Sequence, residues 1–512
     1  MALFLACSCI VSAEEVPMSK AVFKYLYWLL PQSYDPYLSD SFSSMPVAKN
    51  IYAPLVSTFM DGKPQGMIAE SWEMSQDGKV WRFKIRKGLK FPDGTPITSE
   101  VVLKNFRRIL WLTKASGLAL NRAMPEVVKW EDYSLPLKCL STDGDNVVFK
   151  FAAPPENLFE DLEKPLFGIA NPVCFDQEGK WLDGGCLYES GQYKIEKRLP
   201  GSIILRNRHV FPEVENAPET IEFIANIFSS KPWLEWGLEN KVDLMLNSTL
   251  SLGRAELDMI TEAGYKVLNE PPLRMHYLRL NHRRPPFSDK ALRQAIRDSF
   301  LYYLGHDPNF SELRLDPSFI PPGGMGYFPI KTPGKPGKQI NMQGVTVKVL
   351  MHPIKPLDNP VSKSDKYKKA LETALYKTME RYNIKLDISR DHSKTYELTK
   401  SGHFDVMFKY SGLSVQEPYE ALRMMFMSDV GACIPDPSGL IPGYILKGVD
   451  SKTADGRRHY AEKINQTIYD DAAAITFTHS GFVYVYAPSV DVSRMSIFSD
   501  PIEFRAVAAG AK

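Results

Sequence analysis

The sequence lacks the motifs that mark most catalytic and nucleic-acid-binding proteins. It has 62 Lys and Arg residues against 60 Asp and Glu, and a formal net charge of +2 provides no basic footprint for nucleic acid. Its nine histidines are scattered, and none are spaced as HxH or HxxxH, so we expect no metal site. Neither a GxSxG nucleophile elbow nor a GxxxxGK(S/T) phosphate loop occurs. We therefore expect no enzymatic activity and no cofactor. The adjacent carboxylates Asp470-Asp471 are expected to occupy solvated helix positions rather than a catalytic site.

Long apolar runs are also scarce. Residues 2–12 (ALFLACSCIVS) form the one uninterrupted apolar run near either end, far shorter than the roughly 20 residues that span a bilayer. The small residues at 11–13 have the pattern of a signal-peptidase site, which predicts a signal peptide over residues 1–13 and a periplasmic or cell-envelope protein. Cys7 and Cys9 follow small residues, so a lipid anchor on either is an alternative, as is a buried N-terminal element.

Cysteine is the next scarce residue, and four of the six lie beyond that run: Cys139, Cys174, Cys186 and Cys433. Their spacing does not match CxxC, which excludes a zinc ribbon and a thioredoxin motif. Cys174 and Cys186 lie close together with turn-forming residues at 183–185, so they would close a short disulfide loop. Free buried thiols are the alternative that the sequence leaves open.

What is present is an ordinary globular composition. The chain is 44% hydrophobic and 24% charged. Its length of 512 residues suggests two to four domains, and its 38 prolines divide it into short elements. Residues 80–85 alternate like a half-buried strand, and Thr98 is placed to cap a helix. A strand at 345–350, a helix at 365–381 and a strand at 384–388 form a strand–helix–strand unit, which indicates an α/β fold.

A series of motifs then carries a family resemblance. The densest stretch comprises AESWE at 69–73, SQDGK at 75–79, RKGLKF at 86–91 and DGTPIT at 93–98. Further segments follow in order at 190–193, 280–296, 319–323, 402–406 and 457–470. Together they resemble the family 5 extracellular solute-binding proteins, which include the oligopeptide- and dipeptide-binding proteins of ABC importers. The motifs extend over about 400 residues.

The resemblance implies an α/β architecture: a bilobal periplasmic-binding-protein type II-like fold with an additional inserted domain in lobe I. The implied boundaries after the signal peptide are 20–50, 187–275 and 478–512 for lobe I, 51–186 for the inserted domain and 276–477 for lobe II. The lobes of such receptors close on a ligand by a hinge motion. The implied partners are a peptide or peptide-like ligand and the permease subunits of an ABC transporter, and we expect a monomer that binds no nucleic acid.

The family's peptide binders hold an extended ligand between two cleft edges. The resemblance places one edge, Asp40-Ser41-Phe42-Ser43, after the Asp35-Pro36 turn. Asp40 would meet a cationic ligand group, and the alternative is a polar surface loop.

The opposite edge, which precedes Glu417-Pro418, contains Lys409, Tyr410, Ser411 and Ser414. Peptide binders have an aspartate four residues before this proline, where it pairs with the α-amine of the ligand, and here Ser414 occupies that position. Either Asp40 or Glu417 replaces the missing carboxylate, or the ligand presents no standard free amine there. A structural role at a helix start is the alternative for Glu417.

The strand that lines the cleft in relatives contains Tyr277 and Arg279, and alternation puts both on one face. Arg279 or Lys409 would pair with a ligand carboxylate. A solvent-facing salt bridge is the alternative for Arg279.

These observations predict an extracytoplasmic receptor of an ABC importer that binds oligopeptides or peptide-like compounds without converting them. The first alternative is the same receptor class with a non-peptide ligand: a metal chelate, a sugar or a modified cell-wall peptide. A secreted hydrolase is the second alternative.

Overall fold

The computed structural model describes most of the chain, in these ranges: 22–27, 30–31, 33–38, 44–58, 63–114, 119–155, 158–182, 189–225, 232–247, 252–311, 313–337, 340–351, 363–390, 402–413, 418–427, 434, 436–495 and 502–510. The strands of these ranges, in chain order, are β1 (Phe23–Tyr27), β2 (Val56–Ser57), β3 (Gln65–Gly66), β4 (Ala69–Met74), β5 (Val80–Ile85), β6 (Leu140–Asp143), β7 (Asn146–Lys150), β8 (Tyr193–Leu199), β9 (Ser202–Asn207), β10 (Thr220–Ala225), β11 (Leu244–Asn247), β12 (Lys266–Asn269), β13 (Arg274–Leu280), β14 (Thr346–Leu350), β15 (Lys385–Ser389), β16 (Val406–Gly412), β17 (Ala474–Ser480), β18 (Val483–Tyr486), β19 (Val490–Asp491) and β20 (Ala508–Ala509).

The α-helices of the same ranges are α1 (Met45–Ile51), α2 (Ser99–Thr113), α3 (Ala119–Ala123), α4 (Pro125–Val128), α5 (Leu158–Leu162), α6 (Trp233–Glu239), α7 (Arg254–Glu262), α8 (Lys290–Gly305), α9 (Lys363–Arg381), α10 (Tyr419–Phe426), α11 (Ile441–Asp450) and α12 (Ala454–Asp471). None of these described helices combines the length and the apolar character that crossing a bilayer requires.

Several local predictions are confirmed. Residues 80–85 are a strand with the predicted bounds, and Thr98 caps α2 by accepting a hydrogen bond from the Val101 amide. The predicted strand–helix–strand unit forms as β14, α9 and β15, within two residues of the expected bounds. The expectation for Asp471 is wrong: this carboxylate is buried and pairs with Lys290 of α8, while Asp470 is exposed as predicted.

The largest sheet has seven strands in the order β12-β18-β11-β1-β10-β9-β8. It takes its strands from three separated stretches of the chain, at 23–27, 193–269 and 483–486. β1 runs parallel to both of its neighbours, β10 and β11, while the other pairs are antiparallel. Apolar side chains cover both faces of this sheet, as expected for the centre of an α/β lobe.

A second sheet has five strands in the order β15-β14-β16-β13-β17. Successive residues of β13 contribute to different cores: Leu278 and Leu280 pack against α8 and α9, whereas Met275 and Tyr277 pack against α10, α11 and α12. This alternation follows from the two-residue period of a strand and shows that helices cover both faces of the sheet.

A four-stranded antiparallel sheet, β4-β5-β7-β6, forms a separate unit with α2 to α5. Its strands lie between residues 69 and 150, so this unit is local in sequence. We refer to it below as the four-stranded unit, and to the other two bodies as the seven-stranded and five-stranded lobes.

Two adjacent antiparallel strand pairs connect the two lobes. β12 of the seven-stranded lobe continues into β13 of the five-stranded lobe, and β17 returns into β18. β12 pairs with β18, and β13 pairs with β17, so both crossings lie side by side. The two connections between the lobes are residues 270–273 and 481–482, and a hinge between the lobes would lie there.

Candidate functional site

Glu270 forms hydrogen bonds across the double crossing with both its backbone and its side chain. Its backbone N–H donates to the Phe482 carbonyl oxygen at 2.9 Å, and its carboxylate accepts from the Phe482 N–H and from the Tyr484 hydroxyl, both at 3.2 Å. Gly481 lies so close to the opposite chain that a Cβ atom would be 2.2 Å from the Glu270 carbonyl oxygen. One carboxylate therefore joins both strands where the chain passes between the lobes.

The described residues among the predicted ligand contacts lie on two neighbouring strands of the five-stranded lobe. β13 and β16 are antiparallel and place Tyr277 opposite Lys409 and Met275 opposite Ser411. The Tyr277 hydroxyl lies 3.1 Å from Ser411 Oγ. Burial raises the pKa of Tyr277, and the hydrogen bond to Ser411 opposes this effect. Tyr277, Lys409 and Ser411 are thus brought together on one face of these two strands.

Two cations lie on the same two strands. Arg279 is buried, with its guanidinium carbon 5.0 Å from the centre of the Phe404 ring. Lys409 is half-buried, and burial lowers its pKa, with the positive charge of Arg279 as the second cause. Because like charges near one another favour an anion between or beside them, this strand pair is suited to a negatively charged group.

Sequence reasoning missed a polar cluster on the opposite face of β13, at its hinge end. His276 Nδ1 lies 2.8 Å from the Tyr367 hydroxyl, and His276 Nε2 lies 2.8 Å from Ser480 Oγ. The predicted residue Tyr410 is opposite His276, with the two rings 6.0 Å apart. Since the partners of His276 come from α9 and β17, its sequence neighbourhood contains no signal for the cluster.

The remaining predicted contacts, Asp40, Ser41, Phe42, Ser43, Ser414 and Glu417, lie outside the described residues, as do Cys7 and Cys9. Cys174 is disulfide-bonded, and its predicted partner Cys186 also lies outside the described residues. Cys139 is a buried free thiol. In the described part of the chain, no group of three or more His, Cys, Asp and Glu side chains is arranged to hold a metal ion.

Comparison with known proteins shows which family this chain resembles. Residues 63–298 match the sequence model of the bacterial extracellular solute-binding proteins, family 5 middle region. The oligopeptide-binding protein OppA of Escherichia coli is 23% identical over 276 residues, which cover 52% of this chain and 50% of OppA. OppA of Haemophilus influenzae is 36% identical over 283 residues, with the same coverage. The chain thus matches about half the length of these curated relatives.

The structural similarity extends over nearly the whole chain. The H. influenzae OppA complex with the peptide RPPGFSPFR has a TM-score of 0.76 at 16% identity, covering 96% of this chain and 99% of OppA. NikA from Brucella suis in complex with Fe(III)-EDTA has a TM-score of 0.73 at 18% identity, with 96% and 100% coverage. The predicted resemblance and fold class are therefore confirmed: this chain is a bilobal α/β protein that resembles the family 5 extracellular solute-binding proteins.

Proposed function

We propose that this protein is the extracytoplasmic solute-binding receptor of an ABC importer, which binds oligopeptides or peptide-like ligands between its lobes and delivers them to a membrane permease. The observation that carries this proposal is the double strand crossing at Glu270 and Gly481. Two lobes joined by two short adjacent crossings are able to close around a ligand without changing their own packing. The matching family model describes solute-binding proteins, and the solved structure of H. influenzae OppA is a complex with the peptide RPPGFSPFR.

The domain boundaries form part of the proposal. Lobe I would comprise 20–50, 187–275 and 478–512, with the inserted domain at 51–186 and lobe II at 276–477. The seven-stranded and four-stranded sheets support this division because their strands lie within the corresponding segments, whereas β13 and β17 of the five-stranded sheet extend past the 276–477 boundaries to residues 274 and 480. The signal peptide at 1–13, the periplasmic or cell-envelope location, the lipid on Cys7 or Cys9 and the monomeric state are proposals that follow from the sequence.

The ligand would meet the lobe II wall at Tyr277, Ser411 and Lys409, with Arg279 behind them. We propose that the ligand has a carboxylate that faces Lys409, because the ammonium group is half-buried beside a second cation. The edge at Asp40 to Ser43 and the residues Ser414 and Glu417 complete the proposed contacts, and Tyr410 would meet the ligand from the other face of β16, where it lies beside His276.

A non-peptide ligand is the second candidate. The nickel-binding periplasmic protein of E. coli is 26% identical over 264 residues, and the NikA structure contains Fe(III)-EDTA. Ser414 at the position of the amine-binding aspartate favours such a ligand, because a chelate or modified peptide has no α-amine to neutralise.

Mass spectrometry of the compounds released from gently purified, denatured protein tests the proposed function. A mixture of short peptides supports a peptide ligand, and a single non-peptide compound supports the non-peptide ligand. Failure to release any compound, together with no binding to peptide pools or chelates in calorimetry, would contradict the receptor function. Recovery of the peptides intact after hours of incubation with the protein would exclude the hydrolase.

Lys409→Gln tests the carboxylate contact. We expect weaker binding of peptides with a free C-terminus and unchanged binding of their amidated forms, because the substitution removes the cation alone. Lys385→Gln, at an exposed position of the neighbouring part of the same sheet, is the matched control. Equal losses for both peptide forms would remove Lys409 from the carboxylate site.

A further inference from the structure

An ion pair joins the four-stranded unit to the five-stranded lobe. Lys164 Nζ lies 3.6 Å from Glu420 Oε1, at the start of α10. Among the ion pairs formed by described residues, the others lie within one of the three bodies or join the seven-stranded lobe to the four-stranded unit. The pair therefore connects two surfaces that face each other on opposite sides of the proposed cleft.

Both partners are held in place by their own body. Lys164 also pairs with Asp161 at 2.6 Å, and Asp161 Oδ2 accepts a hydrogen bond from the Leu120 amide at 3.1 Å. Glu420 lies on α10, whose Leu422 and Phe426 are buried in the core of the five-stranded lobe. Little further side-chain ordering is needed for the contact, which reduces its entropic cost.

Lys164 lies in acidic surroundings. Glu160 and Glu163 belong to the same segment, and the Glu163 carboxylate accepts a hydrogen bond from the Thr58 amide at 2.9 Å. The pKa of Glu160 is raised, first by burial and then by the charge of Glu163, and the Glu420 charge also contributes across the gap. Without Lys164, the carboxylates of the two bodies would repel one another, so this lysine reverses the sign of the interaction.

We propose that Lys164 is a closure latch: it attracts Glu420 when the lobes close and so sets ligand affinity without touching the ligand. The latch rests on the proposed function, because it acts through closure of the cleft. Lys164, a residue of the inserted domain, would thus bias the equilibrium between the open and closed states. A ligand shifts the same equilibrium by its differential affinity for the two states.

A zero-length carbodiimide cross-link measures the latch directly, since it joins an amine and a carboxylate that are in contact. The exposed pair Lys84–Glu70, with 3.0 Å between its charged atoms, lies within the four-stranded unit and serves as the internal reference. We expect the yield of the Lys164–Glu420 product, relative to that of the Lys84–Glu70 product, to rise when the compounds released from the denatured protein are added back. A ratio that does not change on ligand addition would contradict the latch.

A double-mutant cycle gives the energetic test. We expect Lys164→Gln to weaken binding of the released compounds by up to roughly fivefold, as for an ion pair that solvent still reaches. In the Glu420→Gln background the same substitution should have a much smaller effect, and Lys84→Gln should have none. An equal loss in both backgrounds would show that Lys164 does not act through Glu420 and would overturn the proposal.

X-ray scattering of the ligand-free protein separates failure of the latch from failure of the proposed function. Lys164→Gln should increase the radius of gyration, because repulsion between carboxylates favours the open state. If no compound is released or bound, the receptor function is contradicted, but the radii of gyration of Lys164→Gln and the wild type still test the latch. An unchanged radius in Lys164→Gln, with an unchanged cross-link ratio, refutes the latch alone.

Discussion

Arg108 donates two hydrogen bonds to Asp35, from Nη1 to Oδ1 at 2.8 Å and from Nη2 to Oδ2 at 2.6 Å. Both side chains are buried, and the rings of Phe175 and Trp181 lie 5.2 and 5.3 Å from the guanidinium carbon. Arg108 Nε donates to the Gly179 carbonyl oxygen at 2.8 Å. This arrangement fastens the chain before Pro36 to α2 of the four-stranded unit.

Asp35→Asn should strongly destabilise the protein, because it leaves the Arg108 charge buried without its anion. Removing one member of a buried pair costs ~3–5 kcal/mol. Urea denaturation followed by tryptophan fluorescence measures the shift. Glu70→Gln, in the exposed pair with Lys84, is the control and should change the midpoint little. Equal midpoints for the two variants would mean that the buried pair contributes no more than a surface one.

Gly481→Ala should disturb the crossing between the lobes. The added Cβ would lie 2.2 Å from the Glu270 carbonyl oxygen and 2.6 Å from that of Pro271, so the strands must separate. We expect a loss of ~1–3 kcal/mol and a changed scattering profile on ligand addition. Gly443→Ala on α11 meets no atom within 4 Å and is the control. Ligand-induced compaction identical to that of the wild type would show that this contact does not govern closure.

Glu503 should make stability depend on pH in the acid range. Burial acts to raise its pKa, but the charges of Lys49, 3.0 Å away, and Arg505 outweigh burial and hold the pKa at about 2. Because the folded-state pKa lies below the ordinary value of 4.5, the stabilisation is complete above that value and is lost as the pH falls toward 2.

Thermal unfolding of Glu503→Gln and the wild type between pH 7 and pH 2.5 checks this dependence. The variant should be less stable at pH 7, and the difference should shrink as the pH falls below 4.5. A difference that stays constant over this range would show that the Glu503 charge is not the source of the stabilisation.

Cys139 should resist thiol reagents in the folded protein. Burial, followed by the charge of Glu126, raises the pKa of this thiol to about 12, so the reactive thiolate is scarce at pH 8. Alkylation at pH 8, with peptide mapping to assign the site, should modify Cys139 in urea and leave it unmodified in the native state. Equal labelling rates in both states would contradict the predicted environment.

The sequence predicted local elements better than it predicted contacts. The strand at 80–85, the Thr98 cap and the β14–α9–β15 unit depend on neighbouring residues, and they are confirmed. The solvated position expected for Asp471 is wrong, because Lys290 reaches it from another helix. The Glu270 contacts and the Lys164–Glu420 pair likewise join residues far apart in the chain, and no local pattern reports them.

The strand order of the seven-stranded sheet determines which parts of the fold can form before the whole chain has been synthesised. β1, at residues 23–27, lies between β10 and β11, and β18, at residues 483–486, lies between β11 and β12. The four-stranded unit has all of its strands between residues 69 and 150 and can assemble while the ribosome is still translating. The central strands β11, β1 and β10 are all made by residue 247, but the sheet is complete only when β18 joins β12 to β11 at residue 486, and until then the edges of β11 and β12 that pair with β18 stay open.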